Sequence, residues 1–388
     1  MRFLALPLAL LIAAVPATAQ TRGGWTRAWT ASMWQGGTGP NLFTVEGVTI
    51  RSAVRVGAGG TALRLRLSNE HGDAVVRVGA ATVRSADGRI ARVTFGGAPT
   101  ARIGAGAPLV SDAVALSVKP FEVVEVSIFL PEKTALSTLH GAGGAPTAVS
   151  APGDFTAQPG FAAASTLRHR PMIAGIDVLG ARSRPVIVAY GDSITDNTGC
   201  ANDAPVICRW GDMLGRRLTK AGKPHVVVTQ AISGNRVLTP GAGPSALARF
   251  DRDVLAVPGV SHVVLLEGIN DIGNMTPDNI ITADDLIAGF RQLIARAHDR
   301  GIKVYASPIL PWKGAARFTP GREAIRVAVN RWIRSSGEFD AVIDLERPVA
   351  DPADPLRLAT ALQTGDNLHP NGAGEAAMGD AVPLGLFR

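Results

Sequence analysis

The stretch Pro185-Val186-Ile187-Val188-Ala189-Tyr190-Gly191-Asp192-Ser193-Ile194 runs apolar for six residues and then turns into glycine, carboxylate and hydroxyl. A short apolar run bounded by a turn signal reads as a buried strand. In an open α/β sheet the chemistry gathers just beyond the carboxyl ends of such strands, so Ser193 stands where a nucleophile would be presented. Three further segments follow at intervals typical of successive strand ends: Ile232-Ser233-Gly234-Asn235-Arg236, Glu267-Gly268-Ile269-Asn270-Asp271, and Gly365-Asp366-Asn367-Leu368-His369-Pro370-Asn371.

In their order, the four blocks resemble the SGNH (GDSL-type) hydrolases, a family named for one serine, one glycine, one asparagine and one histidine, each in its own block. The resemblance covers most of the chain from about Pro185 to the C-terminus. It places those residues on Ser193, Gly234, Asn270 and His369, with Asp366 as the carboxylate that orients the histidine. It implies an ester hydrolase without a metal or organic cofactor.

The chemistry accounts for the same residue types. A serine hydroxyl attacks poorly until a neighbouring base takes its proton, and an imidazole suits that task; His369 is the candidate base. Attack on an ester carbonyl builds charge on oxygen that fixed donors must meet. The backbone N–H groups of Ser193 and Gly234 and the side-chain amide of Asn270 are the candidate oxyanion hole. Glycine at 234 lets the backbone approach the substrate with no Cβ in the way. Asp366, three residues before His369, reaches Nδ1 if the loop turns helically, which fixes the tautomer. The other reading of Asp366 is a cap on the turn before Pro370. Asp192 and Asp271 read as turn-stabilising carboxylates, Glu267 as a loop support, and most of His71, His140, His169, His225, His262 and His298 as surface or satisfied structural histidines. The chain contains no Gly-x-Ser-x-Gly elbow, which argues against the α/β-hydrolase fold.

Residues 1–19 read as an export signal, with Arg2, an apolar core from Leu4 to Val15 and a small-residue cleavage site at Ala17-Thr18-Ala19. The expectation is an exported, periplasmic or secreted, protein with no stable membrane insertion. The two cysteines, Cys200 and Cys208, lie close together after the nucleophile and read as a disulfide in an oxidising compartment; the alternative is a pair of free thiols. A Cys-x7-Cys spacing without a nearby histidine is a poor zinc signal. The formal charge is +7, but the basic residues are scattered, so a solvated surface suited to acidic envelopes or polysaccharides fits better than a nucleic-acid partner.

Two periodicities divide the chain. From Thr26 to about Val178 the apolar residues alternate, as in Leu63-Arg64-Leu65-Arg66-Leu67, Val114-Ala115-Leu116-Ser117-Val118 and Val124-Glu125-Val126-Ser127-Ile128-Phe129-Leu130, which predicts half-buried strands in a jelly-roll-like β-sandwich over 20–180. After a linker at Gly180–Pro185 the rhythm becomes strand then helix, which predicts an α/β catalytic domain over 181–388: a three-layer parallel five-stranded sheet. Strands are expected near Val186–Ala189, Val226–Thr229, Val263–Leu266, Val304–Ala306 and Ala341–Leu345. The clearest helix opens at Thr282 with Asp285 three residues on and closes at Gly301. Trp29-Thr30-Ala31-Ser32, Leu67-Ser68-Asn69, Ser111-Asp112, Leu247–Val254 and Asn330–Arg334 resemble the xylanase-E-like branch of the same family, which implies a secreted aryl or acyl esterase. The expected substrate is a small ester or an acylated polysaccharide such as xylan. A lipase, thioesterase or lysophospholipase of the same fold, and an inactive glycan-binding protein, are the competing functions.

Overall fold

The computed structural model describes residues 24–37, 42–141, 146–196 and 208–388. The export signal, Cys200 and most of the Gly141–Gly144 turn fall outside these residues.

Between Gly24 and Gly180 the structure is β-strand in antiparallel sheets. A four-stranded sheet runs in the order Gly24–Thr30, Ile173–Gly180, Ala62–Ser68, Pro108–Val110, and a six-stranded sheet in the order Ser165–Leu167, Thr147–Pro152, Val48–Arg55, Val123–Leu130, Ala80–Arg84, Ile90–Arg92. The period-two reading places the side chains correctly: Leu63, Leu65 and Leu67 are buried, as are Val124, Val126, Ile128 and Leu130. On the other face Arg64 and Arg66 join Arg27 around the buried Asp177, at 2.9, 2.9 and 2.5 Å. The stretch Val114–Val118 departs from expectation. Its apolar residues are buried, yet it pairs only through isolated bridges at Val114 and Val118. The Leu116 N–H turns back to the Val114 carbonyl at 2.8 Å, so the ladder is interrupted by a tight local turn.

The second half holds a parallel five-stranded sheet. Numbered within it, the strands are β1 (Val186–Gly191), β2 (Val226–Ala231), β3 (Val260–Leu266), β4 (Lys303–Ala306) and β5 (Ala341–Val342), in the spatial order β2-β1-β3-β4-β5. That order reverses between β1 and its two neighbours, and such a switch point opens a crevice at the carboxyl edge. The last strand is shorter than its apolar pattern; Ile343 still bonds from N to the Ala306 carbonyl at 2.9 Å before the chain leaves the sheet. The helices are α1 (Ser193–Asp196), α2 (Trp210–Lys220), α3 (Ala246–Phe250), α4 (Ile269–Gly273), α5 (Ala283–His298), α6 (Pro320–Ser335) and α7 (Gly372–Ala381).

Helix α5 has the predicted ends. The Thr282 side chain accepts from the Asp285 N–H while the Asp285 carboxylate accepts from the Thr282 N–H, so two orphan donors are satisfied reciprocally. At the other end Gly301 takes φ +67°, and the Gly301 and Ile302 N–H groups return to the His298 and Ala297 carbonyls. Helix α6, which the sequence reading did not single out, starts the same way, with Thr319 capping and Pro320 in the first turn.

One continuous cluster of buried apolar side chains runs through both halves. The four-stranded sheet meets β2 directly: Thr30 Oγ1 donates to the Thr229 carbonyl at 2.6 Å and Ser32 Oγ to Gln230 Oε1 at 2.8 Å. Among the described residues, no helix is long and apolar enough to cross a membrane.

Candidate active site

The loops after β1, β2 and β3 and the turn before α7 converge on a cavity of about 640 Å³ lined by Ser193, Gly234, Asn270, Asp366 and His369. The catalytic and oxyanion candidates are therefore at one place, although His369 lies 176 positions from Ser193.

Ser193 opens α1 directly after β1 and is buried, with its Oγ 2.8 Å from His369 Nε2. His369 Nδ1 lies 2.5 Å from Asp366 Oδ2. An ionised carboxylate only accepts, so Nδ1 carries the proton and Nε2 presents its lone pair to the serine. Asp366 makes the contacts of both readings. While Oδ2 holds the ring, Oδ1 accepts the backbone N–H groups of Leu368 and His369, each at 2.9 Å. Burial pushes this carboxyl up. The hydrogen bonds from the His369 ring and from the two backbone amides, with the histidine charge, outweigh it and bring the pKa down to about 2. Asn371 secures the turn from its far side by capping α7 through the Ala373 and Gly374 N–H groups.

The oxyanion candidates are arranged by backbone geometry. After β1 the first turn bond runs from Thr195 N to the Asp192 carbonyl, and after β2 from Asn235 N to the Ile232 carbonyl. The Ser193 and Gly234 amides lie within those turns but donate neither bond. Gly234 adopts φ +80°, and an added Cβ would sit 3.1 Å from Ala242 Cβ, so conformation as well as approach demands glycine there. Asn270 lies in the first turn of α4 behind Gly268, which has φ +110°. One amide N–H of Asn270 goes to Asp192 Oδ2 at 3.2 Å, which orients the side chain at the wall of the cavity.

The neighbouring carboxylates hold loops. Asp192 Oδ1 accepts the Ile194 N–H at 2.9 Å. Asp271 reaches across to the loop after β2, accepting Val237 N–H at 2.8 Å and Leu238 N–H at 3.0 Å; burial pushes its carboxyl up to about 6. Glu267 is fully buried, with one oxygen 3.3 Å from Arg249 and the other unpartnered; burial, then the Asp192 charge, push it well above the usual range.

Arg249, quoted only within Leu247–Val254 in the sequence reading, is the hub behind the site. From α3 it donates to the Gly191 carbonyl at 2.9 Å, the Gln230 carbonyl at 3.0 Å, Asn235 Oδ1 at 2.8 Å, Ser32 Oγ at 3.2 Å and Asp253 at 3.0 Å. Its guanidinium also stacks 4.1 Å from the Tyr190 ring centroid. It thus ties two strand ends, the Gly234 loop and the N-terminal sheet together.

The remaining histidines split. His140, from the N-terminal half, is buried and bridges the Ser32 carbonyl (3.0 Å) to Asp196 (3.2 Å), three residues after the nucleophile. His298 pairs with Asp340 at 2.8 Å. His71, His225 and His262 depart from the expected pattern, each having a buried ring nitrogen without a partner among the described residues. His262 lies among His225, Tyr305 and Phe387, where burial drives its pKa down to about 4. Among the described residues, no group of three His, Cys, Asp or Glu side chains is placed to hold a metal ion.

Comparison with known proteins covers the second half of the chain. The GDSL-like Lipase/Acylhydrolase family matches residues 189–377. No curated protein matches the chain. Solved structures similar to it include TesA (20% identity, 50% of this chain and 94% of that one, TM-score 0.40). A mutant of an acetyl xylan esterase from Geobacillus stearothermophilus is also similar (20% identity, 51% and 92%, TM-score 0.39). So is a GDSL-like lipase from Bacteroides thetaiotaomicron (22% identity, 50% and 84%, TM-score 0.36). Residues 189–377 belong to the GDSL-like lipase/acylhydrolase family, of the SGNH type that the four blocks resemble, and the protein that carries them is an ester hydrolase.

Proposed function

We propose that the protein is an exported serine esterase that hydrolyses small acetyl or aryl esters and deacetylates a polysaccharide such as xylan through an acyl-enzyme on Ser193. The observation that carries the reading is the unbroken relay from Asp366 through His369 to Ser193, with contacts of 2.5 and 2.8 Å, at the mouth of one cavity. Ser193 Oγ attacks the carbonyl carbon as its proton passes to His369 Nε2. The carbonyl oxygen, now negative, is met by the Ser193 and Gly234 amides and the Asn270 side chain. The ester C–O bond breaks, His369 returns its proton to the leaving alkoxide, and the acyl group stays on Ser193. Water then attacks the acyl-enzyme, giving its proton to His369, and the serine leaves with that proton restored.

The polysaccharide part of the reading rests on the sequence resemblance of the N-terminal half to the xylanase-E-like branch. Export rests on the first nineteen residues, and the Cys200–Cys208 disulfide on spacing in an oxidising compartment, since Cys200 lies outside the described residues. The test is labelling with a fluorophosphonate, alongside hydrolysis of aryl acetates and of acetylated xylan, by wild type and Ser193→Ala. Wild type is expected to be labelled and to release acetate, with both lost in Ser193→Ala of unchanged circular dichroism. Turnover above a few per cent in that variant would overturn the assignment.

A further inference from the structure

The cavity that holds Ser193 and His369 also contains two arginines that the hydrolytic chemistry does not use. Arg236 comes from the loop after β2, two residues beyond Gly234, and Arg317 from the segment between β4 and α6. Arg236 is half-buried and its guanidinium lies against Gly241, where an added Cβ would stand 3.2 Å from Nε; that Nε is buried without a hydrogen-bond partner. Arg317 is exposed, and its stem passes 4.0 Å from the position of a Cβ on Gly273, at the end of the short helix that carries Asn270. Among the described residues, neither guanidinium forms an ion pair.

The nearby acids are already engaged. Asp271 feels the Arg236 charge, but each of its oxygens accepts a backbone N–H. Asp366, the carboxylate that lines the cavity, holds His369 and two amides. Partly buried arginine without a carboxylate partner loses hydration with nothing returned, unless a ligand supplies the acceptor. Its planar fork matches a carboxylate in two places at once.

We propose that the site selects esters that carry a carboxylate beyond the scissile bond, and that Arg236 and Arg317 are the residues that recognise it. This deepens the esterase reading and rests on it. The shared chemistry is one carboxylate within reach of the acyl-enzyme. It could belong to the acyl side, as in a half-ester of a dicarboxylic acid, or to the alcohol side, as in an acylated acidic sugar.

The experiment compares matched pairs of esters that differ only in that charge. For the acyl side these are the 4-nitrophenyl half-ester of succinic acid and its methyl-capped diester. For the alcohol side they are 4-acetoxybenzoate and its methyl ester. The ratio of kcat/KM, anionic over neutral, is measured for wild type, Arg236→Gln and Arg317→Gln at low and high salt. In at least one pair the ratio is expected to fall roughly tenfold on loss of an arginine, the size of a charge-assisted hydrogen bond, and to shrink in salt. The pair that responds identifies which side carries the carboxylate. A ratio that neither substitution nor salt changes, in both pairs, overturns the proposal while leaving the esterase reading standing. Arg317 is exposed, so its variant keeps the test decisive if Arg236→Gln does not fold. If wild type turns over no ester and Ser193 resists the fluorophosphonate, the esterase reading falls and takes this one with it.

Discussion

Asp366→Asn should be more damaging than Asp366→Ala, which reverses the usual ranking of a conservative against a truncating substitution. In the wild type one oxygen accepts the Leu368 and His369 amides while the other accepts the proton on His369 Nδ1. Asparagine has a single oxygen. If that oxygen keeps the two backbone donors, the NH2 group faces Nδ1 and forces the proton onto Nε2, where it cannot accept from Ser193. Turning the amide round sets NH2 against two N–H groups, a loss of about 2–4 kcal/mol for two unsatisfied donors. The missing charge removes about 1–2 kcal/mol of imidazolium stabilisation, a modest figure because the Asp366 side chain is 46% exposed. Together, about 3–6 kcal/mol, these predict a fall in kcat/KM of roughly 10²–10⁴. Alanine loses the charge and the orientation but imposes no tautomer, so a fall of about 10² is expected. The assay is 4-nitrophenyl acetate hydrolysis normalised by active-site titration, with circular dichroism as the control. An asparagine variant within tenfold of wild type, or at least as active as the alanine variant, would refute the reasoning and leave Asp366 as a turn cap alone.

Three further outcomes follow from the same contacts. Asn270→Ala should cost about 3 kcal/mol in the transition state, seen mainly in kcat; a change confined to KM would make Asn270 a ground-state binder. Arg249→Met should remove about 3–5 kcal/mol of stability, because Glu267 loses the one cation it pairs with among the described residues and is left buried. A urea midpoint shifted by less than the equivalent of about 1 kcal/mol would contradict the hub role. His262 is driven down from 6.5 to about 4 by burial, so its contribution is present above the unfolded pKa and is lost as pH falls through the folded one. His262→Phe should therefore gain on wild type by about 2 kcal/mol between pH 7.5 and pH 5, read from denaturation at the two pH values; an equal difference at both would sink the assignment.

Much of this was legible in the chain order alone. The period of two over the first half and the apolar runs at Val186, Val226, Val263, Val304 and Ala341 report local requirements: a strand with one wet face alternates, and a strand covered on both faces does not. The four blocks were readable for the same reason, since three are strand ends and the fourth is the turn before α7, and such turns need glycine or a short polar side chain. Thr282, Asp285 and Gly301 marked the ends of α5 because caps are satisfied within a few residues. Long-range pairing has no such local signal. Nothing near Arg249 announces that its five donors will be divided among Gly191, Gln230, Asn235, Asp253, Glu267 and Ser32. Nothing near His140 points to Asp196, which it meets across 56 residues. The tertiary structure also decided what Asp366 touches: as sequence it was a cap or a catalytic carboxylate, and the folded turn sets one oxygen against two backbone amides and the other against His369. Local sequence determines which conformations a segment can adopt, whereas the partners of a buried charge are chosen only when distant segments close around it and exclude water.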